Sequence, residues 1–215
     1  MNFKAIIFDL DGTLVNTLTD LANSMNFALK QLSQPTHTAE KCKKMIGNGL
    51  IKFTERALAD DKQHLRDELL SLMRGHYRNN CFVYSTLYDG ISEIISTLHD
   101  RGVGLGVLTN KDHLVAVRMV EHFFDRNTFG YITGVAKGMD VKPNPQGALK
   151  IADAMGLKPS EMLFAGDSDV DIQTAKNAKM GSVGVSWGFR DRAALKTAGA
   201  DIIIDKPAEI LNLLA

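Results

Sequence analysis

Ala5-Ile6-Ile7-Phe8 is a continuous apolar run that ends at an acid, Asp9. A strand with one wet face alternates apolar and polar residues, so an unbroken run is the pattern of a strand buried on both faces of a parallel sheet. The pattern returns four times after residue 100, at Gly104-Leu105-Gly106-Val107-Leu108, Tyr131-Ile132-Thr133, Met162-Leu163-Phe164-Ala165 and Ser182-Val183-Gly184-Val185. A candidate helix or loop separates each run from the next. Alternating strands and helices predict an α/β fold, a Rossmann-like doubly wound parallel sheet. Gly102 closes the periodic run from Ile91 to Leu98, and Gly156 closes the run from Ala148 to Met155 that follows Pro145. A last strand, Ile202-Ile203-Ile204, and a helix from Pro207 to Leu214 are expected to close the chain.

The stretch from Leu18 to Cys81 has a different period. Leu18, Leu21, Ala22, Met25, Leu29 and Leu32 fall on one helical face, and no strand run follows. Further helices are predicted over residues 38–45, 50–59 and 62–78, the first two separated by Gly47-Asn48-Gly49. The expected organisation is an all-helical cap domain, residues 17–83, inserted after the first strand of a core made of residues 1–16 and 84–215.

Composition narrows the function classes. With 45% apolar residues in 215 and no low-complexity segment, the chain can bury a core. Lysine plus arginine (25) balance aspartate plus glutamate (25), so nothing in the bulk charge points to nucleic acid or an anionic membrane. The first apolar run is too short for a signal peptide core or a membrane span, and a cytoplasmic protein is expected. Cys42 and Cys81 form no CxxC pair and no histidine stands at ligand spacing, which argues against zinc sites and disulfides. Oligomeric state is left open.

The candidate chemistry sits where strands end. The first strand runs into Asp9-Leu10-Asp11-Gly12-Thr13, the second into Thr109-Asn110-Lys111, and the fourth into Gly166-Asp167-Ser168-Asp169-Val170-Asp171. Lys142 lies in a proline-stiffened loop after the third. Taken singly, each has a plain structural reading: a tight turn, a helix N-cap, a solvated loop lysine, first-turn acids. Taken together they converge, because the carboxyl ends of parallel strands open on one crevice. Five carboxylates beside one lysine would repel one another unless a cation sat among them, and oxygen ligands suit a hard ion such as Mg2+.

FDLDGTLV, LTNK, VKPNP and GDSDVD resemble the four ordered motifs of the haloacid dehalogenase superfamily. The helical insertion, IGNGL followed by ERAL within it, and GVSWGF after the fifth strand are similar to the phosphoglycolate phosphatase-like branch. Asn16 departs from the pattern, since many relatives carry an acid in the hinge to the cap. The resemblance implies a Mg2+-dependent phosphatase that hydrolyses a small phosphate monoester, 2-phosphoglycolate first among the candidates, through a phosphorylated Asp9. It implies Asp11 as the acid and base. It implies Mg2+ held by the Asp9 and Asp167 side chains and the Asp11 carbonyl, with Thr109, Asn110 and Lys142 on the phosphoryl oxygens and Asp171 orienting Lys142 or a water. Asp169 is expected to be a solvated first-turn acid.

Specificity is expected in the cap. The two glycines of Gly47-Asn48-Gly49 permit close backbone approach, and Asn48 or Arg56 would meet a substrate carboxylate. A helix C-cap followed by a turn explains the same residues. A nucleotidase, an inorganic pyrophosphatase, a phosphomutase and a non-catalytic interaction module remain alternatives.

Overall fold

The computed structural model describes residues 3–214 apart from Lys137 and Met139. The chain divides into two compact units, Met1–Val15 with Leu87–Ala215, and Asn16–Thr86. In chain order, β1 (Ala5–Phe8) and β2 (Val15–Asn16) precede the helices α1 (Leu18–Gln31), α2 (Ala39–Met45), α3 (Gly49–Ala57) and α4 (Arg66–Asn80). Then follow β3 (Thr86–Leu87), α5 (Ile91–Asp100), β4 (Gly104–Asp112), α6 (His113–Phe123), β5 (Tyr131–Val135) and α7 (Gln146–Ala154). The chain closes with β6 (Met162–Gly166), α8 (Asp169–Ala178), β7 (Gly181–Val185), α9 (Arg192–Ala198) and β8 (Ile202–Ile204). Among the described residues no helix is long and apolar enough to cross a membrane.

The larger unit is an α/β fold on a six-stranded sheet in the order β5-β4-β1-β6-β7-β8. Every neighbouring pair is parallel. β1 is central and wholly buried, which is why its sequence carries no polar alternation. Ala5 and Ile7 face Ala148, Ile151 and Ala152 of α7 and Ala175 and Ala178 of α8, where the four alanines let both helices come close to the sheet. Ile6 and Phe8 point to the other face, where the Phe8 ring meets Phe129 edge-on at 6.5 Å between centroids. The register pairs Phe8 with Val107 of β4 and with Ala165 of β6, so β1 and β6 end within a residue of each other while β4 runs on beside them along the same edge. Chain order reverses about β1, and the crevice of a doubly wound sheet opens at that point.

In the smaller unit the apolar face of α1 buries Leu21, Ala22, Met25, Ala28 and Leu29, and α4 buries Leu69, Leu70, Met73 and Tyr77. Asp20, in the first turn of α1, is buried and accepts from the Tyr84 and Ser85 amides and the Ser85 hydroxyl at 2.8–3.1 Å. These bonds tie the start of the unit to its end. Gly47, Asn48 and Gly49 all take positive φ, 126°, 61° and 80°, and Asn48 is the N-cap position of α3. Arg56 braces this turn: Nη1 donates to the Met45 and Gly47 carbonyls and Nη2 to Asn48 Oδ1, at 2.8, 3.2 and 3.0 Å.

Several elements differ from the sequence expectation. β4 runs four residues past Leu108 into Thr109-Asn110-Lys111-Asp112, with its register on β5 shifted between Leu108 and Asp112. Hydrophobicity does not reveal this extension because its buried members are polar. Asp112, accepting from the Val115 amide, is the N-cap of α6, and Thr109 is not. The helix expected over 62–78 is a 3-10 turn, Asp60–Leu65, followed by α4. The last helix is a 3-10 turn, Pro207–Asn212, tightened where Glu209 accepts from the Asp205 and Lys206 amides. β2 and β3, two residues each, pair where the chain passes between the units and are too short to show a period.

Candidate active site

Asp9 is the first residue beyond β1 and its amide still donates to the Ala165 carbonyl, so the sheet itself fixes its position. Asp167 leaves β6 at the same level, one residue past Gly166. Asp171, in the first turn of α8, completes a capping box with Ser168: its Oδ2 accepts from the Ser168 amide and hydroxyl. Its other oxygen, Oδ1, accepts from Lys142 Nζ at 2.7 Å. Asp9, Asp167 and Asp171, all buried, present oxygens within 4.8 Å of one another.

One cation, Lys142, is shared among these acids. Its Nζ lies 2.8 Å from Asp9 Oδ1 and sits over the Phe164 ring at 5.5 Å. The approach to Asp9 is an ion pair, and Oδ1 is buried and otherwise without a hydrogen bond. Burial pushes the Asp9 carboxyl up to about 6 against the pull of Lys142, with Asp171 and Asp11 adding repulsion. Burial, then Asp171 and Asp9, raise Asp167 well above the ordinary carboxylate range. Burial would lower the Lys142 ammonium, but Asp171 and Asp9 more than offset that and hold it above its usual value.

Asp167 is held by Phe189, whose amide donates to Oδ2 at 2.7 Å, with Thr13 Oγ1 at a long 3.5 Å from Oδ1. Two glycines make this possible. Gly12 turns at φ 89°, where a Cβ would lie 2.5 Å from Asp167 Oδ2, and at Gly188 a Cβ would collide with Asp167 Cβ and the Gly12 carbonyl. Trp187 Nε1 donates to the Thr13 carbonyl at 3.0 Å and pins the same loop.

Asn110 clamps Lys142 from both sides, Nδ2 donating to the Lys142 carbonyl at 3.0 Å and Oδ1 accepting from its amide at 2.8 Å. Thr109, Asn110 and Lys142 line one cavity of about 10 Å³. Thr109 Oγ1 accepts from the Lys111 amide at 3.3 Å.

The structure thus brings Asp9, Asp11, Thr109, Asn110, Lys142, Asp167 and Asp171 to one edge of the sheet. Asp169 is exposed. Gly47, Asn48, Gly49 and Arg56 belong to the helical unit, where Arg56 is engaged by the turn it braces. A second lysine stands among the acids, where the sequence predicts one. Lys111, 6% exposed, donates to both Asp11 oxygens at 2.7 and 3.0 Å, so Asp11 stands apart from the three-acid group. Tyr88 was also missed; burial, then the charges of Asp167 and Asp11, raise its phenol. Lys111 was legible only as the last letter of LTNK, beyond the end of the apolar run. Nothing in the run around Tyr88 marks it.

An all-oxygen donor set, mutual carboxylate repulsion and an Asp9 oxygen lacking a hydrogen bond fit a hard divalent cation.

The sequence profile described as haloacid dehalogenase-like hydrolase matches residues 6–185. A phosphoglycolate phosphatase from Chromobacterium violaceum is 31% identical over 219 residues, covering 99% of this chain and 97% of that protein. One from Pasteurella multocida is 33% identical, covering 99% and 98%. A crystal structure from Haemophilus somnus, described as a predicted phosphoglycolate phosphatase, superposes with a TM-score of 0.89 at 31% identity, covering 99% and 98% of the two chains. By its motifs, its fold and this full-length similarity, the chain belongs to the haloacid dehalogenase-like hydrolase family.

Proposed function

We propose that this hydrolase is a Mg2+-dependent phosphatase acting on a small phosphate monoester, 2-phosphoglycolate, through an aspartyl-phosphate on Asp9. The observation that carries the reading is the Asp9 carboxylate itself: buried, beside Lys142, with one oxygen lacking a hydrogen bond. The relatives named phosphoglycolate phosphatase supply the substrate.

In this reading the Asp9 and Asp167 side chains and the Asp11 carbonyl would hold Mg2+. Bound there, the ion would offset the repulsion between the Asp9 carboxylate and the phosphoryl oxygens. Asp9 attacks phosphorus in line and the ester oxygen leaves. Asp11 gives that oxygen a proton, then takes one from the water that releases phosphate. Lys142, Thr109 and the Asn110 amide bind the phosphoryl oxygens, where donors already fixed in place stabilise charge without reorganisation. Asp171 and the Asn110 side chain aim Lys142, one from its ammonium and the other from its backbone. The helical unit, expected over residues 17–83, serves as the cap, and the enzyme works in the cytoplasm.

The test is phosphate release with Mg2+ from a panel containing 2-phosphoglycolate, nucleoside monophosphates, pyrophosphate and a hexose phosphate. Greatest kcat/KM on 2-phosphoglycolate supports the reading. Preference for a nucleotide or pyrophosphate, or isomerised sugar phosphate without release, would replace it with a nucleotidase, a pyrophosphatase or a mutase.

A further inference from the structure

The brace that Arg56 provides leaves open what reads the part of the substrate that is not phosphate. A second buried cation stands inside the α/β unit. Lys111 lies two residues beyond Thr109 on the extended end of β4, and both side chains are buried. Its ammonium hydrogen-bonds both oxygens of Asp11. Stability alone is a poor reason for such a pair, since a buried ion pair roughly breaks even against apolar residues of similar size. Nor is Lys111 needed by the three acids around Lys142, which form a separate group.

We propose that Lys111 is the specificity-determining residue that pairs with a carboxylate on the leaving group, so that the site selects short phosphate esters bearing an acid next to the ester carbon. The inference rests on the phosphatase reading, in which Asp11 meets the ester oxygen. In 2-phosphoglycolate the carboxylate carbon lies two single bonds from that oxygen, about 2.4 Å away with bonds near 1.5 Å. The Lys111 ammonium, within 3.0 Å of the Asp11 oxygens, and that carboxylate would thus both stand next to the point where Asp11 meets the ester oxygen. The division of labour follows from charge: Lys142 serves the phosphoryl end and Lys111 the carboxylate end.

The test compares 2-phosphoglycolate with 2-hydroxyethyl phosphate, which has a hydroxymethyl group where the acid has its carboxylate. Wild type should favour the acid in kcat/KM. In Lys111→Met both esters lose rate, because Asp11 loses its partner, but the preference for the acid should fall a further tenfold to hundredfold, the range of one charge-assisted hydrogen bond. Lys111→Arg should keep more of that preference than Lys111→Met. Should Lys111→Met not fold, Lys111→Gln, with a donor but no charge, carries the same comparison. An unchanged ratio, with both esters slowed equally, overturns the proposal and reduces Lys111 to a support for Asp11. Equal use of the two esters by wild type overturns it with the phosphatase reading intact. Hydrolysis of neither ester, or of any other in the panel, would mean that the phosphatase reading itself had failed.

Discussion

Two buried aspartates, one in each unit, show how differently the chain treats the same side chain. Asp20, at the start of α1, accepts four contacts from Tyr84 and Ser85, all from neutral donors and all within its own unit. Asp9, at the end of β1, has an oxygen with no hydrogen bond, a lysine at 2.8 Å and two further buried acids close by. Burying a charge is costly unless it is paired and hydrogen-bonded. Asp20 has no opposite charge, but hydrogen bonds fill both its oxygens and it serves the fold. Asp9 has an opposite charge that it shares with Asp171 and an Oδ1 with nothing further to accept from, and a residue kept against its own desolvation is explained by chemistry.

The largest effect that separates the two is on turnover. Asp9→Asn should lower kcat on 2-phosphoglycolate by more than about a thousandfold, beyond the loss from removing one transition-state donor, because the covalent route is gone. Asp20→Asn should show no comparable fall; if it did, the contrast between a structural and a chemical aspartate would collapse. Asp11→Asn should slow turnover by about a hundredfold to ten-thousandfold through loss of the acid and base, while an ester with a good leaving group still phosphorylates Asp9. Removal of divalent cations should abolish turnover and Mg2+ restore it; full activity after exhaustive chelation would contradict the cation site.

Stability sharpens the contrast by changing sign. Asp20→Asn puts amide hydrogens against amide donors and should destabilise the protein by about 1–3 kcal/mol in denaturant unfolding. Asp9→Asn should stabilise the metal-free protein at neutral pH. The sign follows from the carboxyl raised to about 6 from an unfolded value of 3.8. The folded state binds its proton more tightly, so this contribution is fully present below pH 4 and is lost as pH rises through 6. The gap between variant and metal-free wild type should therefore open between pH 4 and pH 7, reaching at most about 3 kcal/mol, and close again with Mg2+. A gap that shrinks as pH rises would contradict the assignment of Asp9 as an acid whose charge is disfavoured by burial.

What the sequence made legible follows the same division. Every strand of the main sheet announced itself as an apolar run, and Asp9, Lys142, Asp167 and Asp171 were found because they follow the carboxyl ends of parallel strands. Lys111 was lost because β4 continues through polar residues whose burial comes from the site and not from hydrophobicity. The roles of Gly188 and Phe189 depend on contact with Asp167, 21 and 22 residues away in the chain, which no local pattern encodes. In the helical unit, Gly47-Asn48-Gly49 was visible as a turn, but the hold of Arg56 on it depends on a guanidinium reaching back to three acceptors.

The central claim is that Asp9 becomes phosphorylated during turnover. Acid quenching of wild type within a single turnover of 2-phosphoglycolate, followed by peptide mapping, should find the phosphoryl group on Asp9, with Asp11→Asn accumulating more of it when given a reactive ester. Phosphate released at the full rate with no label on Asp9, or label on another side chain, would contradict the account.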